Sequence, residues 1–194
     1  MLAGVAVRAE QQPRDVLDRA MAAFQAGRIA ESISGFDQVV KLDPSAAAGL
    51  WPRGIALYYA GRFEECRAQF ELHRTVNPDD VENAAWHFLC VARAESPEVA
   101  RTKILPVGPD GRRPMSEIYR LFQGKTTAEQ VVAAAGANTT ALFYAHLYVG
   151  LYLEATGDAA GALDHLKLAA SSRYAAAGGY MHDVARVHLL QRAR

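Results

Sequence analysis

Apolar side chains recur along this chain at the spacing of one helix face. Ala85, Phe88, Leu89 and Ala92 stand at i, i+3, i+4 and i+7, and Tyr144, Leu147, Tyr148 and Leu151 repeat the pattern. Such spacing draws one apolar stripe down an α-helix. Alanine is abundant and β-branched residues are sparse, which favours helix over strand. The pattern predicts an all-α chain of short helices cut by Gly, Pro and Asp stops.

The stops are periodic. Gly27 and Gly61 are 34 residues apart, as are Phe36 and Phe70, and Pro44 and Pro78. "AGRIAESISGFDQVVKLDP" aligns with "AGRFEECRAQFELHRTVNP" without a gap. Each position has a physical reason. Gly27 and Gly61 end the first helix of a pair, where a left-handed residue is needed. Ser32 and Cys66 are small where the second helix approaches the first. Phe36 and Phe70 fill the space between them, and Pro44 and Pro78 stop the second helix. Ser45 and Asp79 or Asp80 are placed to cap the next helix. Pro52 breaks the rule: the helix holding it either begins near Leu50 or Trp51 or is kinked.

A further copy, "LFYAHLYVGLYLEATGDAAGALDHLKLAASS", has Gly150, Gly157, Ala162 and Ala169 at the small positions and Leu166 as the large one. "VENAAWHFLCVARA" is a good first helix whose partner, "SPEVARTKIL", is short, with Ser96 as cap and Pro97 in its first turn. "PVGPDGRRP" reads as a loop. "PMSEIYRLF" reads as a helix starting at Pro114, and "TTAEQVVAAAG" opens with a capping box from Thr126 to Glu129. "YMHDVARVHLLQRAR" is one amphipathic helix suited to a terminal cap. The divisions are an N-terminal arm or signal remnant over 1–12, and one domain over 13–194. Within that domain repeats fall at 13–46, 47–80, a degenerate 81–105 and 139–172, with an inserted helical pair at 106–138 and a capping helix at 179–194.

A 34-residue helix-turn-helix period with Gly at the turn and Pro at the end resembles the tetratricopeptide repeat family. The resemblance implies a right-handed superhelical stack of hairpins that binds protein or peptide partners on its concave face. The last third, with "YMHDVARVHLL" following the fourth copy, is similar to the NlpI-type bacterial lipoproteins, envelope adaptors that are often dimeric. That likeness implies a bacterial adaptor, with the periplasm favoured over the cytoplasm. "MLAGVAVRAEQQ" fits it as the end of a secretory signal, although a positive n-region is missing. No cysteine stands there to carry a lipid.

By register the concave face holds Leu17, Met21 and Phe24, then Trp51, Ile55 and Tyr58, then Glu82, Ala85, Trp86 and Leu89, then the Tyr144 to Leu151 stripe. These are apolar and aromatic, and aromatics are common hot-spot residues. The Lys/Asn/Arg set with which family members clamp a peptide carboxylate is absent, since Trp51 and Ile55 stand where it would begin. The expected groove residues are Trp51, Ile55, Tyr58, Trp86, Leu89, Tyr144 and Tyr148, receiving a partner helix or peptide through an apolar anchor. The alternative is a homo-oligomer, such as a homodimer, whose groove is filled by residues 106–124 or by the N-terminal arm.

Charge and chemistry narrow the class. Lys+Arg and Asp+Glu are both 21, so no basic excess points to nucleic acid. No apolar run is long enough to span a bilayer. Cys66 and Cys90 sit in apolar helical runs without metal spacing, and read as two buried small side chains, bridged only if their helices face each other. His87, His146 and His182 lie on three successive helices of the first type. They could converge on a small-ligand or metal pocket, each take a core hydrogen bond, or be unrelated. "GPDG" has no strand before it, and Arg112 and Arg113 behind it read as a solvated loop. Glu117 and Glu129 fit helix starts. No nucleophile, phosphate-loop or metalloprotease motif occurs. The sequence therefore predicts a non-enzymatic binding scaffold with no cofactor and no metal.

Overall fold

The computed structural model describes residues 12–193. Among these residues the fold is all helical: α1 Pro13–Gln25, α2 Ile29–Leu42, α3 Trp51–Tyr59, α4 Phe63–His73, α5 Val81–Ala94, α6 Pro97–Thr102, α7 Met115–Phe122, α8 Ala128–Ala135, α9 Thr139–Ala155, α10 Ala159–Ala169, α11 Ala175–Gly178 and α12 Tyr180–Arg192. The expected arm or signal remnant lies outside the described residues, apart from Gln12. No described helix is long and apolar enough to cross a membrane.

Helices adjacent in sequence pack as pairs, α1 on α2, α3 on α4, α5 on α6, α7 on α8 and α9 on α10. The glycine turns explain four of these. Gly27 and Gly61 have φ of 71° and 73°. Each closes its helix with two bonds, Gly27 N–H to Phe24 O and Arg28 N–H to Ala23 O, then Gly61 N–H to Tyr58 O and Arg62 N–H to Leu57 O. This is the Schellman pattern, which satisfies carbonyls that the helix end leaves unpaired. The same two bonds recur at Gly124, to Leu121 O and from Lys125 to Arg120 O, and at Gly157. The pair α7–α8, expected as an inserted pair outside the repeat, therefore turns like α1–α2, α3–α4 and α9–α10.

Packing follows the alignment. Phe36, Phe70 and Leu166 are buried between their helices, and each such side chain contributes about 1.5–3 kcal/mol by leaving water. Ser32 is small and polar, and its hydroxyl donates to Ala20 O at 2.9 Å across the α1–α2 contact. Cys66 and Cys90 are not two free thiols: they form a disulfide joining α4 to α5, with Cα atoms 5.9 Å apart. The helices do face each other, a relationship that the spacing of the two cysteines in sequence does not reveal.

Other local details differ by a residue or two. Pro52 lies in the first turn of α3, behind a 3-10 turn over Pro44–Gly49, so the helix starts late rather than kinking. That turn is capped by Asp43, whose carboxylate accepts from Ser45 N–H at 3.0 Å, and not by Ser45 itself. Asp80 caps α5 and Ser96 caps α6 as expected. The capping box on α8 is Thr127 with Gln130, one residue beyond the expected Thr126 and Glu129.

α5 is the centre. It meets α3, α4, α6, α7 and α9, and every residue from Asn83 to Ala92 is buried. α12, expected as a solvent-facing cap at one end, packs on both α10 and α1. It thus links the last long hairpin to the first.

Candidate functional site

The helices enclose a cavity of about 330 Å³. Trp51 reaches it from α3, Phe70 and His73 from α4, and Tyr144 from α9. Asp80, Glu82, Asn83 and Trp86 enter from the first two turns of α5 and the residue before it. Gly178, Tyr180 and Met181 close the remaining side. Volumes of this size are typical of small-ligand or anchor sites.

Trp51, Phe70, Trp86, Tyr144 and Tyr180 give five of the eleven lining residues aromatic rings. Trp86 stacks on Phe70 with centroids 6.3 Å apart and meets Tyr58 edge-on at 5.5 Å. Tyr180 meets Trp51 edge-on at 5.3 Å and stacks on Phe24 at 5.6 Å. Offset and edge-on pairs of this kind add about 0.5–1.5 kcal/mol each beyond area burial.

One rim is acidic and strongly tied. Arg112, from the loop before α7, bonds Asp80 at 2.7 Å, Glu82 at 2.7 Å and Asp110 at 2.6 Å. Tyr148 donates its hydroxyl to the other Glu82 oxygen at 2.6 Å. Burial pushes the Glu82 carboxyl above its ordinary range, against the Tyr148 and Arg112 bonds that favour its charge. Burial also acts to raise Asp110, but its bonds to Arg112 outweigh it and hold the carboxyl below normal. The Arg112 reading as a solvated loop residue is thereby corrected: it is half-exposed but fixed over the start of α5.

Of the seven groove residues expected from register, Trp51, Trp86 and Tyr144 line the cavity together. Ile55, Leu89 and Tyr148 do not; all three are fully buried core residues. α5 and α9 are each covered further by α7, and side chains of α12 reach α3 and α9, through Tyr180 on Trp51 and His188 on Glu154. Tyr58 is buried and faces a different cleft, beside Tyr59, Arg93, Glu154 and His188. Tyr180 and Met181 of α12 line the cavity, and no residue of 106–124 does.

The three histidines do not share a pocket. His87 Nε2 faces the Glu71 carboxylate at 3.3 Å, and burial lowers its pKa. His146 Nδ1 pairs with His165 Nδ1 at 3.0 Å, so one ring donates and the other accepts. Burial, then the His165 and Arg173 charges, push His146 down to about 4. His182 Nε2 lies 3.2 Å from Ala170 O and 3.1 Å from Ser171 O. None of the three lines the cavity. Among the described residues, no group of three or more His, Cys, Asp or Glu is placed to hold a metal ion.

Register reasoning missed Asn83, Phe70, His73 and Tyr180. Asn83 carried a signal, since it is a polar residue inside the apolar run of α5. Tyr180 carried none, because its place depends on α12 folding back across α1 and α3. No protein-family model matches the chain.

Proposed function

We propose that this protein is a non-catalytic binding scaffold of tetratricopeptide type. It takes an apolar segment of a protein or peptide partner into the cavity between α3, α5, α9 and α12. The observation that carries this reading is the convergence of Trp51, Trp86 and Tyr144, from three different helices, on one aromatic-walled cavity. Aromatic side chains in a concave, mostly apolar site supply anchor energy with little rotamer entropy to lose. Repeating Schellman turns at four glycines support the stack of hairpins.

The Cys66–Cys90 disulfide supports an oxidising compartment, in line with the periplasmic expectation, since such bonds persist outside reducing cytosol. The acidic rim of Asp80, Glu82 and Asp110 around a single Arg112 disfavours anionic partners such as nucleic acid. A second reading, a structural oligomer with a filled groove, draws on Tyr180 and Met181 occupying one wall.

Selection of random 12-residue peptides on the wild type and on Trp51→Ala/Tyr144→Ala separates the two. Peptides sharing an apolar anchor, and weakened about tenfold or more by the double variant, support the scaffold. A library that yields no binder, with a dimer by sedimentation, supports the structural reading.

A further inference from the structure

Asn83 is 2% exposed, yet neither its amide nitrogen nor its amide oxygen has a hydrogen-bond partner within the chain. The indole N–H of Trp86, a residue 1% exposed, is also unpartnered, as is the buried Tyr180 hydroxyl. These three residues line the same cavity. A buried polar atom left without a partner costs about 1–3 kcal/mol, and native proteins rarely tolerate one. Several converging on one cavity call for a common explanation.

Their neighbours do not compete for them. The Asp80 carboxylate is satisfied by Glu82 N–H, Asn77 and Arg112, and the Glu82 carboxylate by Tyr148 and Arg112. The buried capacity left unpartnered among the lining residues comprises one side-chain amide with both donor and acceptor, one indole donor and one hydroxyl.

We infer that the cavity recognises a neutral primary carboxamide of a bound peptide, with Asn83 pairing its cis N–H and C=O and Trp86 donating to a further carbonyl. A carboxamide is the complement of a carboxamide: its N–H meets Asn83 Oδ1 while its oxygen meets Asn83 Nδ2. The walls of Trp51, Phe70 and Met181 take the adjoining aliphatic side chain. A nucleobase also offers paired donor and acceptor, but the phosphates of a nucleic acid carrying it would meet the acidic rim. The inference rests on the peptide-groove reading and adds the chemistry that the groove reads.

The chain has two tryptophans, and both line this cavity. The ¹⁵N–¹H indole signals therefore report on it directly. The probes are N-acetyl-L-leucinamide, isoamyl acetate (a similar aliphatic with a carbonyl but no N–H) and uracil. The amide is expected to shift the Trp86 indole and Asn83 side-chain signals saturably, and isoamyl acetate to bind more weakly. Asn83→Leu is expected to weaken the amide about tenfold while raising the melting temperature, because it removes an unpaired buried group. Tyr180→Phe, which keeps the ring, is expected to weaken it a few-fold.

Equal binding of the ester and the amide, or unchanged amide binding by Asn83→Leu, overturns the inference and leaves an apolar groove. A fall in melting temperature for Asn83→Leu with amide binding retained assigns Asn83 a structural role and overturns it too. Saturable shifts from uracil with none from the amide reassign the site to a base. No response to the amide, while library-selected peptides still bind at Trp51, ends this inference alone. No response to either ends the groove reading with it.

Discussion

The Tyr180 ring stands edge-on to Trp51, with centroids 5.3 Å apart. One residue of the last long helix thus closes the cavity that a residue of the second hairpin opens. Other contacts fix α12 in the same place. Tyr59 Oη lies 3.1 Å from His188 Nδ1, Gln191 donates to Gly27 O at 3.2 Å, and Gln25 donates to Asp183 at 2.9 Å. Tyr180→Ala is expected to cost about 2–4 kcal/mol, the lower part of the large-to-small range because the ring is only partly buried. Urea denaturation checks it. The same variant should leave the cavity more open and Trp51 more readily quenched by acrylamide.

The glycine turns separate backbone strain from crowding. Gly61 has φ of 73° and open space where a Cβ would stand, whereas a Cβ on Gly27 would meet the Leu190 side chain of α12. Gly61→Ala is expected to cost about 1–2 kcal/mol, the left-handed penalty alone. Gly27→Ala should cost measurably more by equilibrium unfolding. Equal costs would mean that Leu190 moves aside freely and that α12 is loosely held.

Those turns also mark how much of the fold was legible. Gly27 and Gly61 announce themselves, because a left-handed cap, a buried large residue and a stop keep a fixed register, and Gly157 keeps the cap and the large residue, Leu166. Gly124 turns in the same way but stands 63 residues after Gly61, so the period hides it. The site was half legible. Trp51, Trp86 and Tyr144 follow from register, since each projects from an inner helix face. Ile55, Leu89 and Tyr148 were misjudged because burial depends on what covers a helix: α7 packs on both α5 and α9, and α2, α4 and α5 all pack on α3. Asn83 was visible as an oddity in an apolar run, but its lack of a partner is a three-dimensional fact.

The disulfide supplies a test of stability by redox state. Cys66 and Cys90 are 24 residues apart in sequence. Closing a loop of that length is expected to stabilise the fold by about 3 kcal/mol through the unfolded chain. Cys66→Ser/Cys90→Ser, or unfolding in the presence of dithiothreitol, should lower the urea midpoint accordingly. An unchanged midpoint would show that the bond does not constrain the unfolded state.

Acid should weaken the fold through His146, whose burial, with His165 and Arg173 nearby, disfavours its charged form. The folded pKa of His146 is pushed down to about 4, while an unfolded histidine titrates near 6.5. Between these values the unfolded chain binds more protons than the native one, so stability rises with pH. The contribution is complete above about 6.5 and is lost as pH falls toward 4. Burial shifts His87 and His165 in the same direction. Melting temperatures across this window should fall steeply for the wild type and less steeply for His146→Gln.

The scaffold proposed for this chain holds its partner between Trp51 and Trp86. The most direct test titrates one library-selected peptide while heat and tryptophan emission are followed on the same sample. Because both tryptophans line the cavity, the emission change should saturate at the affinity that calorimetry reports, and both should be lost in Trp51→Ala/Tyr144→Ala. Heat of binding with unchanged emission, retained in the double variant, would place the partner elsewhere on the protein and contradict the account.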